Sequence, residues 1–291
     1  MTTTVSPESA AHKACRDSGL PSNSLTHLHH HATAVYLLPA EGIVVRVSPA
    51  AQRSRLSTAV RLTRWLVSNG YPATEPVDLA QPVDRGPYVV TFWVHYPQSS
   101  LGTPPAGHLG SLLHGLHELP PPPVALPEYQ PLSSLLTTVA TSISLPPIER
   151  DWLIARCSEL LGAYHELNFP LGRGLLHGDA YPGNTLWDGP NARLGDWDEA
   201  AIGPREIDLA NTFQGARFGR PYEELNEFSL RYGYDISNWP GLAVLCKIRD
   251  LHTLGSYIRR ADQGDQVAAR ELSYRIETLR NDDSGARWSA S

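Results

Sequence analysis

The chain has 291 residues, 41% of them hydrophobic, with a formal charge of −6 at pH 7 and three cysteines. That length can bury a full core as one large domain or two lobes, and the acidic balance argues against a general nucleic-acid surface. No run of about 18 apolar residues marks a membrane span, and Met1-Thr2-Thr3-Thr4-Val5 has neither the basic nor the apolar part of a secretory signal, so a cytoplasmic protein is expected. Cys15, Cys157 and Cys246 are odd in number and far apart, which gives neither a disulfide framework nor a zinc pattern.

After a polar N-terminal segment, Leu28-His29-His30-His31-Ala32-Thr33 reads as a polar loop. A metal site on the histidine triplet is disfavoured, because adjacent residues on an extended chain point to alternating sides and no other ligand motif is at hand. Residues 33–38, 39–42 and 43–47 read as strand, turn, strand, and Arg46 alone projects a charge from the second strand. A helix is predicted over residues 51–69, ended by Gly70-Tyr71-Pro72, and no Asp or Glu occurs between Pro49 and Thr74. Residues 88–94, Tyr-Val-Val-Thr-Phe-Trp-Val, form an apolar strand.

The chain then becomes helical. Leu109, Leu112, Leu113 and Leu116 have helical spacing within 108–119, before the linker Pro120-Pro121-Pro122-Pro123, and His114 and His117 there read as packing or surface residues. A second helix over 147–167 carries Leu153, Leu160, Leu161 and Tyr164. Next comes Gly172-Arg173-Gly174-Leu175-Leu176-His177-Gly178, which superficially suggests a dinucleotide loop; its third glycine is one residue late, it does not open a helix, and no Gly-Lys-Ser or Gly-Lys-Thr occurs anywhere.

Residues 177–198 concentrate the chemistry. Thr185-Leu186-Trp187, the turn Asp188-Gly189-Pro190-Asn191 and the return Ala192-Arg193-Leu194-Gly195 predict a β-hairpin, with Asn184 at one end and Asp196-Trp197-Asp198 at the other. A loop of about five residues would set Asn184 opposite Asp196, and one of about four would offset them; a shared ligand needs the first case or an irregular hairpin end. Transfer of a phosphoryl group needs Mg²⁺, which takes oxygen ligands from one or two protein groups, water and phosphate, and Asn184 and Asp196 suit that role. Asp179 is the candidate general base for the attacking hydroxyl.

The set His177-Gly178-Asp179 with Asn184, then Asp196-Trp197-Asp198 and Ile207-Asp208-Leu209-Ala210, resembles the aminoglycoside phosphotransferase family and its choline kinase-like relatives. Protein kinases carry His-Arg-Asp with an Asn five residues on, then Asp-Phe-Gly. The resemblance implies an α+β, bilobal protein-kinase-like fold, with a small nucleotide-binding β-sheet lobe over 1–96 and a larger, mostly helical catalytic and acceptor-binding lobe over 97–291. It implies that His177 supports the loop, that Asp198 lies near the metal or the acceptor, and that Asp208 braces the loop from the following helix. Arg46 would stand where kinases carry a strand lysine to the nucleotide phosphates, and backbone groups near Phe92, Trp93 and Val94 would hold adenine. The absence of an acid on helix 51–69 leaves Arg46 without the family's usual partner, compensated elsewhere or replaced by direct nucleotide contact.

The implied function is ATP- or GTP-dependent, Mg²⁺-assisted O-phosphorylation of a small hydroxylated molecule, an aminoglycoside or other antibiotic among the candidates, by a monomer or homodimer with no nucleic-acid or membrane partner. A metabolic kinase for an amino alcohol or sugar and a nucleotide-binding pseudoenzyme are the alternatives. Further helices are predicted over 205–217, 222–232, 241–262 and 266–281, where Glu223, Glu224, Glu227 and Asp235 could meet a polycation or merely form a solvated face.

Overall fold

The computed structural model describes residues 6–30, 33–98 and 102–289. The opening segment 1–5, and His31 and Ala32 of the histidine run, lie outside the described residues. In chain order the elements are α1 (Pro7–Asp17), β1 (Thr26–His30), β2 (Ala34–Leu38), β3 (Ile43–Pro49), α2 (Arg53–Ser68), β4 (Val83–Arg85), β5 (Tyr88–Val94), α3 (Ala106–His117), α4 (Ser133–Thr141) and α5 (Pro147–His165). They continue as β6 (Arg173–Leu176), β7 (Thr185–Asp188), β8 (Asn191–Leu194), β9 (Ala201–Pro204), α6 (Glu206–Gln214), α7 (Tyr222–Tyr232), α8 (Leu242–Asp262) and α9 (Gln266–Arg280). No helix among the described residues is long and apolar enough to cross a membrane. The contacts divide the chain into two compact units, one of residues 1–104, 118–127 and 182–200, the other of 105–117, 128–181 and 201–291.

The first unit is built on an antiparallel sheet in the order β1-β2-β3-β5-β4. Along β3, Ile43, Val45 and Val47 are buried while Val44 and Arg46 are less so, the period of two that puts Arg46 on the face opposite the core. That core is closed by α1, whose Ala10, Ala11, Ala14 and Cys15 pack with Tyr36, Leu38, Val45, Val47, Val90 and Phe92. Helix α1 starts where Ser6 accepts the N–H of Ser9 and Pro7 takes the first turn, a local signal within the polar N-terminal segment. The polar-loop reading of Leu28 to His30 is corrected: these residues belong to β1, a sheet edge whose backbone pairs with β2. An edge strand satisfies its hydrogen bonds on one side only and needs no apolar run to form, which is why its composition misled.

Helix α2 spans Arg53–Ser68. It carries no acid; its arginines reach outward instead, Arg53 to Asp84 at 2.7 Å and Arg55 to Glu199 at 2.5 Å. The β7–β8 hairpin belongs to this unit, tied to the segment after α2 by Thr74 N–H to Leu194 O at 2.9 Å and Leu194 N–H to Pro72 O at 2.9 Å.

The second unit is mostly helical, with Leu135, Val139, Leu153, Cys157, Leu160, Leu245, Ile248, Leu254 and Ile276 in one continuous core drawn from α4, α5, α8 and α9. Helix α3 packs on α7 at close range: a Cβ placed on Gly110 would lie 2.4 Å from the Phe228 carbonyl oxygen, so glycine is what the crossing admits. Strand β6 pairs antiparallel with β9, Leu176 opposite Ala201, and its C-terminal end delivers the chain into His177. Neither this ribbon nor α4 stands out in the sequence pattern. Cys15 and Cys157 are free and buried, and burial pushes each thiol up to about 11.

Candidate active site

The second unit holds the loop that follows β6. Asp208, fully buried in the first turn of α6, accepts the His177 N–H on Oδ2 and the Gly178 N–H on Oδ1, each at 2.8 Å. Gly178 has φ +83°, a left-handed conformation that glycine adopts without a Cβ penalty. Its carbonyl accepts from Asn211 Nδ2 at 3.5 Å, and the Asp179 N–H donates to His177 Nδ1 at 3.3 Å. The turn is therefore held from below by a carboxylate and an amide on one helix, with buried His177 filling its inner side. Asp179, three positions after the strand, is part-exposed, and its Oδ1 accepts from Arg249 Nη2 at 2.7 Å.

Two further side chains reach this loop from sequence-distant helices. His117, at the end of α3, lies with Nε2 3.3 Å from Asp208 Oδ2 and Nδ1 2.9 Å from the Tyr232 hydroxyl. It is a packing residue, as its spacing suggested, but one packed on the acid that holds the loop. Arg249 in α8 stands four residues after Leu245, so it occupies an apolar-spaced, buried position; a cation on a buried stripe was the one available sequence signal. Burial pushes the Tyr129 hydroxyl up, against the lowering field of Arg249, with Asp208 and Asp179 also close enough to be felt.

The first unit holds Arg46, Asn184, Asp196 and Asp198. Arg46 Nη2 bridges Asp196 Oδ1 at 3.1 Å and Asp198 Oδ2 at 3.3 Å. Burial disfavours its charge, but the two carboxylates outweigh that and raise the guanidinium above its ordinary value, so it stays protonated. The partner missing from α2 is thus supplied by Asp196 and Asp198.

The hairpin closes in the offset register: Asp188 pairs with Asn191 across Gly189-Pro190, Thr185 pairs with Leu194, and the Gly195 N–H reaches the Asn184 carbonyl at 2.8 Å. Asn184 is opposite Gly195, and the in-register alternative is corrected. The hairpin end is irregular on both strands. Asn184 closes a 3-10 turn, Pro182–Asn184, and Asp196 is left-handed at φ 60°, ψ 62°, so the strict alternation that would send the two side chains to opposite faces stops at Gly195. Trp197 anchors this end, its indole N–H on the Leu194 carbonyl at 2.9 Å and its ring edge-on to Tyr71.

Phe92, Trp93 and Val94 form the last residues of β5, opposite Val45, Val44 and Ile43. The Phe92 N–H donates to Gln81 Oε1 at 2.8 Å and its carbonyl accepts from Val77 at 3.0 Å, while the Val94 N–H donates to Glu75 O at 2.8 Å.

Whether a divalent ion suits the donor set can be judged from its chemistry. Asn184 and Asp196 offer a carboxamide and a carboxylate, hard oxygen donors, and no group of three or more His, Cys, Asp or Glu able to hold a metal occurs among the described residues. That is too few for an all-protein cage but fits Mg²⁺, which usually keeps water and substrate phosphate in its coordination sphere. The residues fit the ion on that ground.

No curated protein matches the chain. Among solved structures, amicoumacin kinase hAmiN in complex with AMP-PNP, Ca²⁺ and Ami is similar at a TM-score of 0.70 and 16% identity, covering 91% of this chain and 90% of that one. The apo form of a thermostable mutant of aminoglycoside phosphotransferase APH(4)-Ia gives 0.66 and 17%, covering 94% and 99%. A choline/ethanolamine kinase family protein from Mesorhizobium loti gives 0.64 and 14%, covering 95% and 96%. The α+β, kinase-like fold class is shared with these proteins. The model of the phosphotransferase enzyme family APH matches residues 28–245, and the chain belongs to that family.

Proposed function

We propose that the protein transfers the γ-phosphoryl group of ATP, or GTP, to a hydroxyl of a small molecule. The carrying observation is Arg46 gripped by Asp196 and Asp198 from 150 or more residues away, a cation held between two acids in the unit built on the sheet. It supports Arg46 as the nucleotide phosphate contact. Asn184 and Asp196 are assigned to Mg²⁺, which would neutralise phosphate charge when bound. Asp179 takes the proton of the attacking hydroxyl as its oxygen bonds to phosphorus and the nucleoside diphosphate leaves. His177 and Asp208 keep that base in place, Asp198 steadies Arg46, and adenine is assigned beside the end of β5 around Phe92, Trp93 and Val94, through groups other than the Phe92 N–H and carbonyl and the Val94 N–H, which are bonded within the unit. Positioning and charge neutralisation would carry most of the acceleration.

An acceptor of low positive charge is favoured over a polycation. Of the four acids that could meet several ammonium groups, three are engaged within the chain: Glu224 is paired with Arg220, Glu227 with Arg231 at 2.8 Å, and Asp235 caps Ser237 at 2.9 Å. An amino alcohol or sugar is therefore the reading within this class that we prefer, with antibiotics of similar charge beside it. The test is a panel including choline, ethanolamine, simple sugars and hygromycin B incubated with MgATP and scored by mass for an added phosphoryl group. One phosphorylated hydroxyl, lost with Asp179→Asn, is the expected result; binding of MgATP with no acceptor modified and no hydrolysis would overturn it.

A further inference from the structure

We infer that Arg249 is a positioning residue for the general base, fixing the orientation of the Asp179 carboxylate from α8. The inference rests on the assignment of Asp179 as base and goes beyond it. Arg249 lies 70 residues from Asp179 and is only 8% exposed, yet its Nη2 reaches Asp179 Oδ1 at 2.7 Å. The loop backbone is held by Asp208 and Asn211 as far as Gly178, and the His177 ring takes the Asp179 N–H; those contacts set where the residue sits but not which way its side chain turns. The Arg249 guanidinium supplies a directional contact to the carboxylate itself. Holding Oδ1 at 2.7 Å restrains the plane of the carboxylate, and a fixed carboxylate plane is what an in-line proton acceptor requires.

The energetics favour a functional reason for this cation. Arg249 Nε is buried with no hydrogen-bond partner among the described residues, so the guanidinium is only partly satisfied. A well-packed apolar side chain in the same helix position would avoid that desolvation cost, and residues that break a local rule in this way concentrate at functional sites. The neighbouring Asp250 points to a separate network, accepting from Arg217 Nε at 3.0 Å and Gln214 Nε2 at 3.0 Å, so the core of α8 is tied without Arg249.

The test combines a structure and a double-mutant cycle on the full chain. Crystals of Arg249→Met should show the Asp179 side chain in a different or mixed rotamer with the His177–Gly178 backbone unmoved; an unchanged Asp179 would overturn the proposal. In turnover of MgATP, with choline, hygromycin B or water as acceptor, Arg249→Met should lower kcat about 10- to 100-fold with KM for nucleotide unchanged, and Arg249→Lys should recover part of it. Because Arg249 acts through Asp179, adding Arg249→Met to Asp179→Asn should cost nothing further. Additive losses overturn the role of Arg249 while leaving Asp179 as base. Wild-type activity in Asp179→Asn, or no turnover with any of the three probes, overturns the assignment beneath it.

Discussion

Asp208 receives the backbone N–H of Gly178 on one carboxylate oxygen and that of His177 on the other, both at 2.8 Å, while His117 stands 3.3 Å from the second oxygen. Three groups converge on one side chain that is fully buried. Replacing Asp208 by Asn turns an N–H₂ toward one of two backbone donors and leaves that donor unsatisfied, at a cost of about 1–3 kcal/mol. The expected outcome is a lowered Tm in calorimetry together with a kcat reduced on the order of 100-fold, since a displaced loop misplaces Asp179.

Arg46 contributes charge and one bridging nitrogen, Nη2, to the two acids that flank Trp197. Arg46→Met removes the cation and leaves Asp196 and Asp198 in mutual repulsion; affinity for AMP-PNP, measured by titration calorimetry without acceptor, should fall at least about 10-fold. Arg46→Lys keeps the charge as a compact ammonium that cannot bridge with the same geometry, so its loss should be smaller but measurable. Equal affinity in all three proteins would remove Arg46 from the nucleotide site.

Two glycines in helices should respond in opposite directions to the same substitution. A Cβ at Gly110 would meet the Phe228 carbonyl oxygen at 2.4 Å, backbone that cannot rotate aside, so Gly110→Ala should force α3 off α7 and cost about 1–3 kcal/mol. A Cβ at Gly162, within α5, meets nothing within 4 Å, and Gly162→Ala should stabilise by about 0.5–1 kcal/mol through helix propensity. Urea denaturation of the pair reads both signs at once.

Glu206 predicts a pH dependence of stability. Its Oε1 accepts the Leu171 N–H at 2.6 Å, its Oε2 is buried with no hydrogen-bond partner among the described residues, and burial raises its carboxyl above the ordinary value against the weaker lowering contacts. A carboxyl raised in the folded state binds its proton more tightly there than in the unfolded chain. Stability therefore increases as pH falls through the raised value toward the ordinary 4.5, and the charged form costs stability above it. Glu206→Gln keeps the acceptor for Leu171 and removes the charge. Its Tm should match or exceed wild type at pH 7, with the advantage shrinking as the pH approaches 5; a large loss at pH 7 would contradict this.

Elements whose signal is local were legible in the sequence. The strand of residues 88–94, legible as an apolar run, and the helix of 222–232 have the bounds read from the sequence, and the hairpin follows from the turn chemistry of Gly189-Pro190 between apolar arms. The motif residues of the loop proposed to carry the base, His177 to Asn184, were equally visible as a pattern, since they lie within a few residues of one another. The strands β1, β4, β6 and β9 were not, because a short edge strand or two-stranded ribbon is defined by the backbone it pairs with.

By itself, then, the sequence determined the kinds of chemical groups and their order along the chain: hard oxygen donors, a lone strand arginine, a carboxylate on a loop, and the periodicities that build a sheet and helices. Only the tertiary structure decided which groups act on one another. Arg46 finds its acids 150 and 152 residues away, Arg249 finds Asp179 across 70, and His117 finds Asp208 across 91. The hairpin takes the offset register with Leu194 bonded to the segment after α2, and the turn at Asp196 is left-handed. The reason is physical: a hydrogen bond or ion pair depends on distance in space, and folding brings together residues whose separation along the chain carries no trace of their contact.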